Sequence, residues 1–234
     1  MKRIAIMQPT YLPWIGYFGL MQSVDTFVLL DSVQFAKRSW QQRNQIKTAN
    51  GAQWLSVPVM SKGKRDQKIC EVELDLGPKS FTNHRQVIEH SYRKAPNFDV
   101  MGQPILELYN KSYNRLVDLN IDLIQCIKDL LNINTPVVRS SEIHGEGVKA
   151  DLLLSLCQGL EATEYVSPPG SKSYLNETDV FLRADLPVRY FNFNHPVYPQ
   201  MYGDFLPYMS CIDLLFNCGD KGFGLITEGC EISS

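Results

Sequence analysis

Two stretches near the start of the chain gather more hydrogen-bonding and charged side chains than a covering loop needs. The first, QPTYLPWIGYF, runs from Gln8 to Phe18. Pro9 and Pro13 fix backbone angles and stiffen it. Gln8, Thr10 and Tyr11 offer neutral donors and acceptors. Gly16 permits close backbone approach, and a helix starting here points free N–H groups and a positive dipole end outward, suited to phosphate. The second, DSVQFAKRSWQQRNQIK, runs from Asp31 to Lys47. Gln34, Lys37, Arg38, Arg43 and Asn44 follow Asp31 closely. Arginine pairs bidentately with phosphate or carboxylate and lysine acts as a point charge, so this set suits an anionic ligand such as a nucleotide diphosphate.

A third stretch, SPPGSKSY, runs from Ser167 to Tyr174. Ser167, Gly170, Ser171, Lys172 and Tyr174 supply hydroxyls, flexible backbone and one cation before a predicted helix, again phosphate equipment. The Walker A spacing is absent. His84 sits beside Arg85 and is a candidate general base, with Asp31 the alternative. His84 and His90 stand off the i, i+4 spacing on one predicted helix, so no two-histidine metal site is expected. Toward the end, HPVYPQMYGDFLPYMSCIDLLF places Tyr198, Gln200, Asp204 and Asp213 either in a substrate pocket or in the core. Gln200 joins the substrate-binding candidates. The cysteines, Cys70, Cys126, Cys157, Cys211, Cys218 and Cys230, form no C-x-x-C pair and no zinc-finger spacing. Cys211 or Cys218 is where a reactive thiol would sit.

Elements must hold these loops. Lys2–Met7 and Thr26–Asp31 are short apolar runs that predict buried strands, with a helix over Trp14–Ser23 between them. That strand–helix–strand order is the signature of a parallel sheet. Ser39–Lys47 and Gln53–Val59, separated by Gly51, suggest a paired excursion, and Lys68–Leu76 alternates like a strand. Helices are predicted over Lys79–Arg93, Asp99–Tyr109 and Tyr113–Leu131. The rhythm then returns: strand Pro136–Arg139, helix Val148–Leu160, strand Thr163–Ser167, helix Tyr174–Ala184, strand Pro187–Phe193, and a short helix over Ser210–Phe216. The expected fold is one α/β domain over residues 1–234, a three-layer sandwich on a parallel sheet, with a mainly helical insertion at about 79–132. In such a sheet ligands bind beyond the carboxyl ends of the strands, which is where the three stretches fall.

Lys plus Arg number 23 and Asp plus Glu 25, a net charge of −2. That balance argues against a dedicated nucleic-acid binder. No apolar run reaches the length of a membrane span, and the N-terminus has no signal-peptide pattern, so a cytoplasmic protein is expected.

The chain resembles the WbqC-like family through QPTYLPWIGYF, LDSVQFAKRSWQQRN, WLSVPV, GSKSYL and YPQMYGDFLPYMSCIDLLFNCG, in the family's order over nearly the whole length. The resemblance implies a bacterial protein, often encoded among genes for O-antigen or other surface-polysaccharide synthesis. A more distant likeness is to the HIGH-superfamily nucleotidylyltransferases, pantothenate synthetase among them. Trp14-Ile15-Gly16-Tyr17 falls where they carry H-x-G-H, with the glycine kept and both histidines replaced. This implies a Rossmann-like, HUP-type sandwich. Without those histidines, an adenylating enzyme would draw positive charge from Lys37, Arg38, Arg43 or Lys172.

The resulting expectation is a cytoplasmic transferase that acylates the amino group of a nucleotide-linked sugar, with ATP or an acyl thioester supplying the activated acyl group. Its partner would be that sugar or another phosphorylated small molecule, without nucleic acid and without a resident metal. The alternatives are an ATP-dependent nucleotidylyltransferase or adenylating ligase, and a non-enzymatic binding protein of polysaccharide assembly.

Overall fold

A computed structural model describes residues 1–75, 80–172, 175 and 177–233. β1 (Arg3–Met7) leads through a loop into α1 (Ile15–Gln22) and back to β2 (Thr26–Leu29). β3 (Arg43–Thr48) and β4 (Gly51–Ser56) form an antiparallel hairpin. Its turn sets Gly51 at φ 94°, a left-handed position that glycine occupies without strain. α2 (Ser80–Tyr92), α3 (Phe98–Leu108) and α4 (Leu116–Leu130) follow, then β5 (Val137–Arg139), α5 (Ala150–Gly159) and β6 (Glu164–Ser167). The chain ends with α6 (Val180–Arg183), β7 (Val188–Phe193), α7 (Cys211–Cys218), α8 (Gly222–Gly229) and β8 (Cys230–Ser233).

The main sheet has the order β5-β2-β1-β6-β7-β8. All neighbours pair parallel except β7 and β8, which are antiparallel. The chain therefore leaves β1 toward β2 and β5, then returns to β6 on the other side of β1. The switch point lies between β1 and β6. This is a Rossmann-like arrangement, with helices on both faces of a mostly parallel sheet.

Side-chain alternation along the strands builds the layers. Ala5, Phe27, Leu29, Val166 and Phe191 face one core, which α1, α4 and α7 also enter through residues such as Phe18, Leu123 and Leu215. Ile4, Ile6, Val28 and Tyr165 face the other, packed by Leu153 and Leu156 of α5 and Phe181 of α6. Each such large apolar side chain contributes roughly 1.5–3 kcal/mol of burial free energy. α1 is buried on all sides from Ile15 to Met21, which explains its lack of a polar face. α4 buries Leu116, Leu119, Asn120, Leu123, Ile124 and Ile127, a stripe at helical period. At the amino ends of the strands, Glu164 accepts from Arg3 Nε at 2.8 Å and from Arg189 Nε at 3.0 Å. One carboxylate thus ties β6 to both neighbours.

Two departures from the expected elements have physical causes. The stretch expected as a strand over Lys68–Leu76 is not one among its described residues, 68–75: Ile69–Glu71 forms a single 3-10 turn, and Leu76 lies outside the described residues. The Glu71 carboxylate accepts from the Lys68 backbone N–H at 2.8 Å and curls the chain. Ile69, Val72 and Leu74 are still buried, so the apolar alternation is real without a ladder behind it. At the other end, β8 emerges from the glycine-rich tail and pairs with β7, an edge strand absent from the sequence-based reading. No helix among the described residues is long and apolar enough to cross a membrane.

Candidate functional site

The loops after β1 and β2 are bound to each other before any ligand arrives. Tyr11 N–H donates to Trp40 O at 2.9 Å. Gln41 Nε2 donates to Gln8 Oε1 at 2.7 Å. Asn120, fully buried on α4, donates to Gln41 O at 2.8 Å and also faces Pro9 O at 3.4 Å. Asn44 of β3 donates to Leu12 O at 2.6 Å. The second loop is itself braced: Gln41 Oε1 accepts from Ala36 N–H and Gln42 Oε1 from Arg38 N–H. Arg38 adopts a left-handed φ of 62°, which turns Lys37 and Arg38 outward, where both are exposed.

These braced loops enclose a cleft at the carboxyl ends of β1 and β6 with two lobes. The apolar lobe, about 290 Å³, is walled by Trp14, Tyr17, Trp40 and Tyr208, with Asn44 at its edge. The polar lobe, about 280 Å³, sits at the switch point over Ile6, Leu153 and Tyr165. Its hydrogen-bonding groups are those of Gln8, Ser39, Gln41 and Ser171. Met7, Thr10 and Trp40 line both lobes, so the two adjoin. Trp40 is half exposed and lies 5.3 Å from the Trp54 ring. Along the chain Lys172 follows the lining residue Ser171, and Lys37 and Arg38 precede the lining residue Ser39; all three cations are exposed.

The close approach that Gly16 permits is used by the protein itself. A Cβ there would lie 2.3 Å from the tip of the Trp14 indole, which folds over the first turn of α1. The Trp14 ring is held in turn by Phe193, His195 and Tyr208. His195 Nδ1 faces the Pro196 carbonyl at 2.9 Å, so it carries the proton, and Nε2 accepts from Tyr208 N–H at 3.1 Å. This histidine is therefore a neutral positioning group for the apolar lobe, and burial lowers its pKa.

The sequence-based candidates divide by location. Gln8, Thr10, Asn44 and Ser171 line the cleft, whereas Lys37, Arg38 and Lys172 are exposed and next to its lining segments only along the chain. Lys172 Nζ lies 4.8 Å over the Tyr190 ring. Gly170 is exposed, with open space where a Cβ would be. Ser167 is fully buried and its hydroxyl bonds Pro168 O. Gln34 is exposed on the far side of the loop, donating to Arg65 O. Arg43 lies 4.4 Å over the Trp54 ring. Tyr174 lies outside the described residues.

Neither base candidate lines the cleft. Asp31 is fully buried; its carboxylate takes Arg139 Nε at 2.8 Å, Ser141 N–H at 2.9 Å and the Ser141 hydroxyl at 2.8 Å. That clasp joins the loop after β2 to the loop after β5. His84 is also buried. Its Nε2 faces the Ser56 carbonyl at 3.2 Å, so Nε2 carries the proton and Nδ1 accepts from the Tyr11 hydroxyl at 2.7 Å. Tyr11 is fully buried, bonded further to Tyr109 at 2.6 Å. Burial lowers the His84 pKa and raises that of Tyr11. The Tyr11–His84–Tyr109 group locks the first loop onto α2 and α3 from behind.

Gln200 belongs to another buried network. It donates to Asp213 at 2.7 Å and accepts from Lys47 Nζ at 3.1 Å. Tyr92 and Tyr198 donate to the same carboxylate at 2.8 and 2.9 Å. Lys47 is 1% exposed, so the basic run of the second loop does not converge on one ligand: Lys47 closes the core while Lys37 and Arg38 face out. The cysteines are all free thiols. Burial pushes Cys218 up to about 11 and raises fully buried Cys211 as well, which keeps both protonated at neutral pH. Among the described residues no cluster of His, Cys, Asp and Glu is arranged to hold a metal ion.

The residues that sequence reasoning missed are Trp14, Trp40, Gln41, Asn120 and Tyr208. Asn120 carried a signal, a lone amide within the apolar stripe of α4. The two loops gave none for which ring would wall the cleft.

Residues 8–223 match the family model of the WbqC-like protein family. Among curated proteins, the chain is similar to "Uncharacterized protein Rv1507c" of Mycobacterium tuberculosis, 38% identical over 221 residues, covering 94% of this chain and 95% of that protein. No solved structure matches.

Proposed function

We propose that this chain, which belongs to the WbqC-like protein family, is a cytoplasmic transferase of surface-polysaccharide synthesis that acylates the amino group of a nucleotide-linked sugar. The observation that carries this reading is the two-lobed cleft at the switch point. Its polar lobe has hydroxyls of Thr10 and Ser171 and the Gln8 amide, and the exposed Lys37, Arg38 and Lys172 adjoin its lining segments along the chain, a set that suits a diphosphate. Its aromatic lobe suits the less polar part of the reacting pair, the acyl group above all.

In the reaction the sugar amine attacks the acyl carbonyl. A C–N bond forms, the bond from the carbonyl carbon to the leaving group breaks, and the amine proton passes to the leaving group or to water. The leaving group is a thiolate if the donor is a thioester, or a phosphate oxygen if ATP has activated the acid. No carboxylate or imidazole lines the cleft among the described residues. His84 and Asp31 are therefore assigned positioning roles through the loops they clasp, and the rate advantage is attributed to orientation of the two reactants.

The test is direct. The protein is mixed with nucleotide-linked amino sugars and either acyl thioesters or ATP plus simple acids, and the products are weighed by mass spectrometry. The expected result is a sugar nucleotide heavier by one acyl group. In the Lys37→Ala, Arg38→Ala variant, KM for the sugar nucleotide should rise and depend less on salt. Pyrophosphate release from ATP and a sugar phosphate, without acylation, would identify a nucleotidylyltransferase instead. No change in mass across the panel leaves the binding-protein reading.

A further inference from the structure

A second cavity, about 480 Å³, lies between the turn of the β3–β4 hairpin, one face of α2 and Tyr202. It shares no lining residue with either lobe of the cleft. On α2 its wall is Asn83, Gln86, Val87 and His90, spaced i, i+3, i+4, i+7 and hence on one helix face. The opposite face, with His84, Ile88 and Tyr92, is buried in the core. Asn50 and Gln53 face the cavity from the hairpin.

The lining chemistry is uniform. Charged residues make up 21% of the chain, yet no Lys, Arg, Asp or Glu lines this cavity. Among the described residues, the side chains of Asn50, Gln53, Asn83 and Gln86 form no hydrogen bond within the protein. Each amide therefore brings two unused donors and an acceptor to one space. A phosphate or carboxylate would meet no lysine or arginine there, only the imidazole of His90. A neutral ligand whose groups both donate and accept would satisfy these amides, and vicinal hydroxyls do so in pairs.

Tyr202 supplies a wall of a different kind. Its backbone holds a left-handed φ of 63°, rare for a bulky residue. Its hydroxyl donates to Ser91 O at 2.7 Å, which fixes the ring beside the amides. An aromatic body with its polar tip tethered packs well against the C–H face of a sugar ring.

The geometry assigns this cavity to an uncharged saccharide, bound by the amides of Asn50, Gln53, Asn83 and Gln86 against the Tyr202 ring. A peptide fits less well, because extended peptides dock through backbone hydrogen bonds on a free strand edge, whereas the groups facing this cavity are side chains of the hairpin and of α2. The site is separate from the cleft, and the inference does not depend on acyl transfer. α2 nonetheless joins the two, since its buried His84 bonds Tyr11 of the first loop.

Saturation-transfer NMR on the full chain tests the assignment, with maltotriose, cellotriose, triacetylchitotriose, a neutral tetrapeptide and inorganic phosphate as probes. At least one trisaccharide should bind saturably. Its affinity should fall at least tenfold in the Gln53→Ala, Gln86→Ala variant, whose exposed substitutions should leave the melting temperature unchanged. Binding of none of the trisaccharides, equal binding by the variant, preference for the tetrapeptide, or competition by phosphate would each overturn it. The same variant in the acylation assay separates the two readings, because its mass gain should match that of the unaltered protein. Saccharide binding by a protein that acylates nothing would strike the earlier proposal alone.

Discussion

Asn120, buried His84 and half-buried His195 show how single residues set the cleft. Fully buried Asn120 satisfies the Gln41 carbonyl, so Asn120→Leu should leave that acceptor without its side-chain partner. The expected cost is about 1–3 kcal/mol, which for a chain of this size lowers Tm by about 2–4 °C per kcal/mol. Thermal melts read the loss, and an unchanged Tm would remove Asn120 from the bracing of the loops. His84 and His195 predict a pH dependence. Both have pKa values lowered chiefly by burial, whereas an unfolded-chain histidine protonates near pH 6.5. Below that value the unfolded state binds more protons, so their contribution is full above about pH 6.5 and declines as pH falls toward the lowered folded values. Asp213, raised by burial, has the opposite sign. The histidine effect is therefore isolated by comparison: His195→Gln should lose less stability between pH 7 and pH 5.5 than the unaltered protein, measured by chemical denaturation. An equal or greater loss would remove His195 from the account.

At the scale of elements, the start of α1 is the seat of the Trp14 ring, which lies on Gly16. Gly16→Ala puts a Cβ 2.3 Å from that indole, so the ring must leave, although alanine suits a helix better than glycine. The expected result is a retained fold by far-ultraviolet circular dichroism, altered tryptophan fluorescence, and weaker binding of the sugar nucleotide. Unchanged fluorescence would mean that Trp14 does not rest on Gly16. The helix itself was legible in the sequence, as were β1, β2 and β6, because strands buried on both faces of a parallel sheet are continuous apolar runs; β5 and β7, only partly buried, were legible from the returning alternation of strand and helix. β8 was hidden because Cys230–Ser233 is an edge strand with no buried residue, which leaves no apolar run to recognise. The three stretches at the strand ends were legible as loops for the same topological reason. Which side chains face the cleft was not. Tyr11, Lys47 and His84 look like free polar groups in sequence, yet each finds its partner on a segment far along the chain. Trp40 becomes a cleft wall only because Tyr11 N–H pins its carbonyl.

For the whole molecule, the question is whether the helical segment between the two halves of the sheet is an appendage or part of the framework. One core cluster contains Ala5 and Phe27 of the sheet together with Ile105 of α3 and Leu119 and Ile127 of α4. α3 also packs against α7, and Asn97 N–H, just before α3, donates to Phe216 O at 3.0 Å. The apolar surface of the inserted helices is therefore the same surface that covers one face of the sheet. If they were excised, Phe27, Leu29 and the buried stripe of α7 would lose their cover and expose a continuous apolar face. Unfolding should accordingly be a single cooperative transition, with calorimetric and van't Hoff enthalpies equal. A chain in which residues 79–132 are replaced by a short flexible linker should show no cooperative transition. Two separate transitions in the full chain, or a folded excision variant, would show that the inserted helices are a domain of their own. The distinction matters for the cleft, because Asn120 and His84 reach its loops from these helices. A separable insertion would let the loops move with it, whereas a shared core fixes them to the sheet and keeps the cleft formed in the absence of ligand.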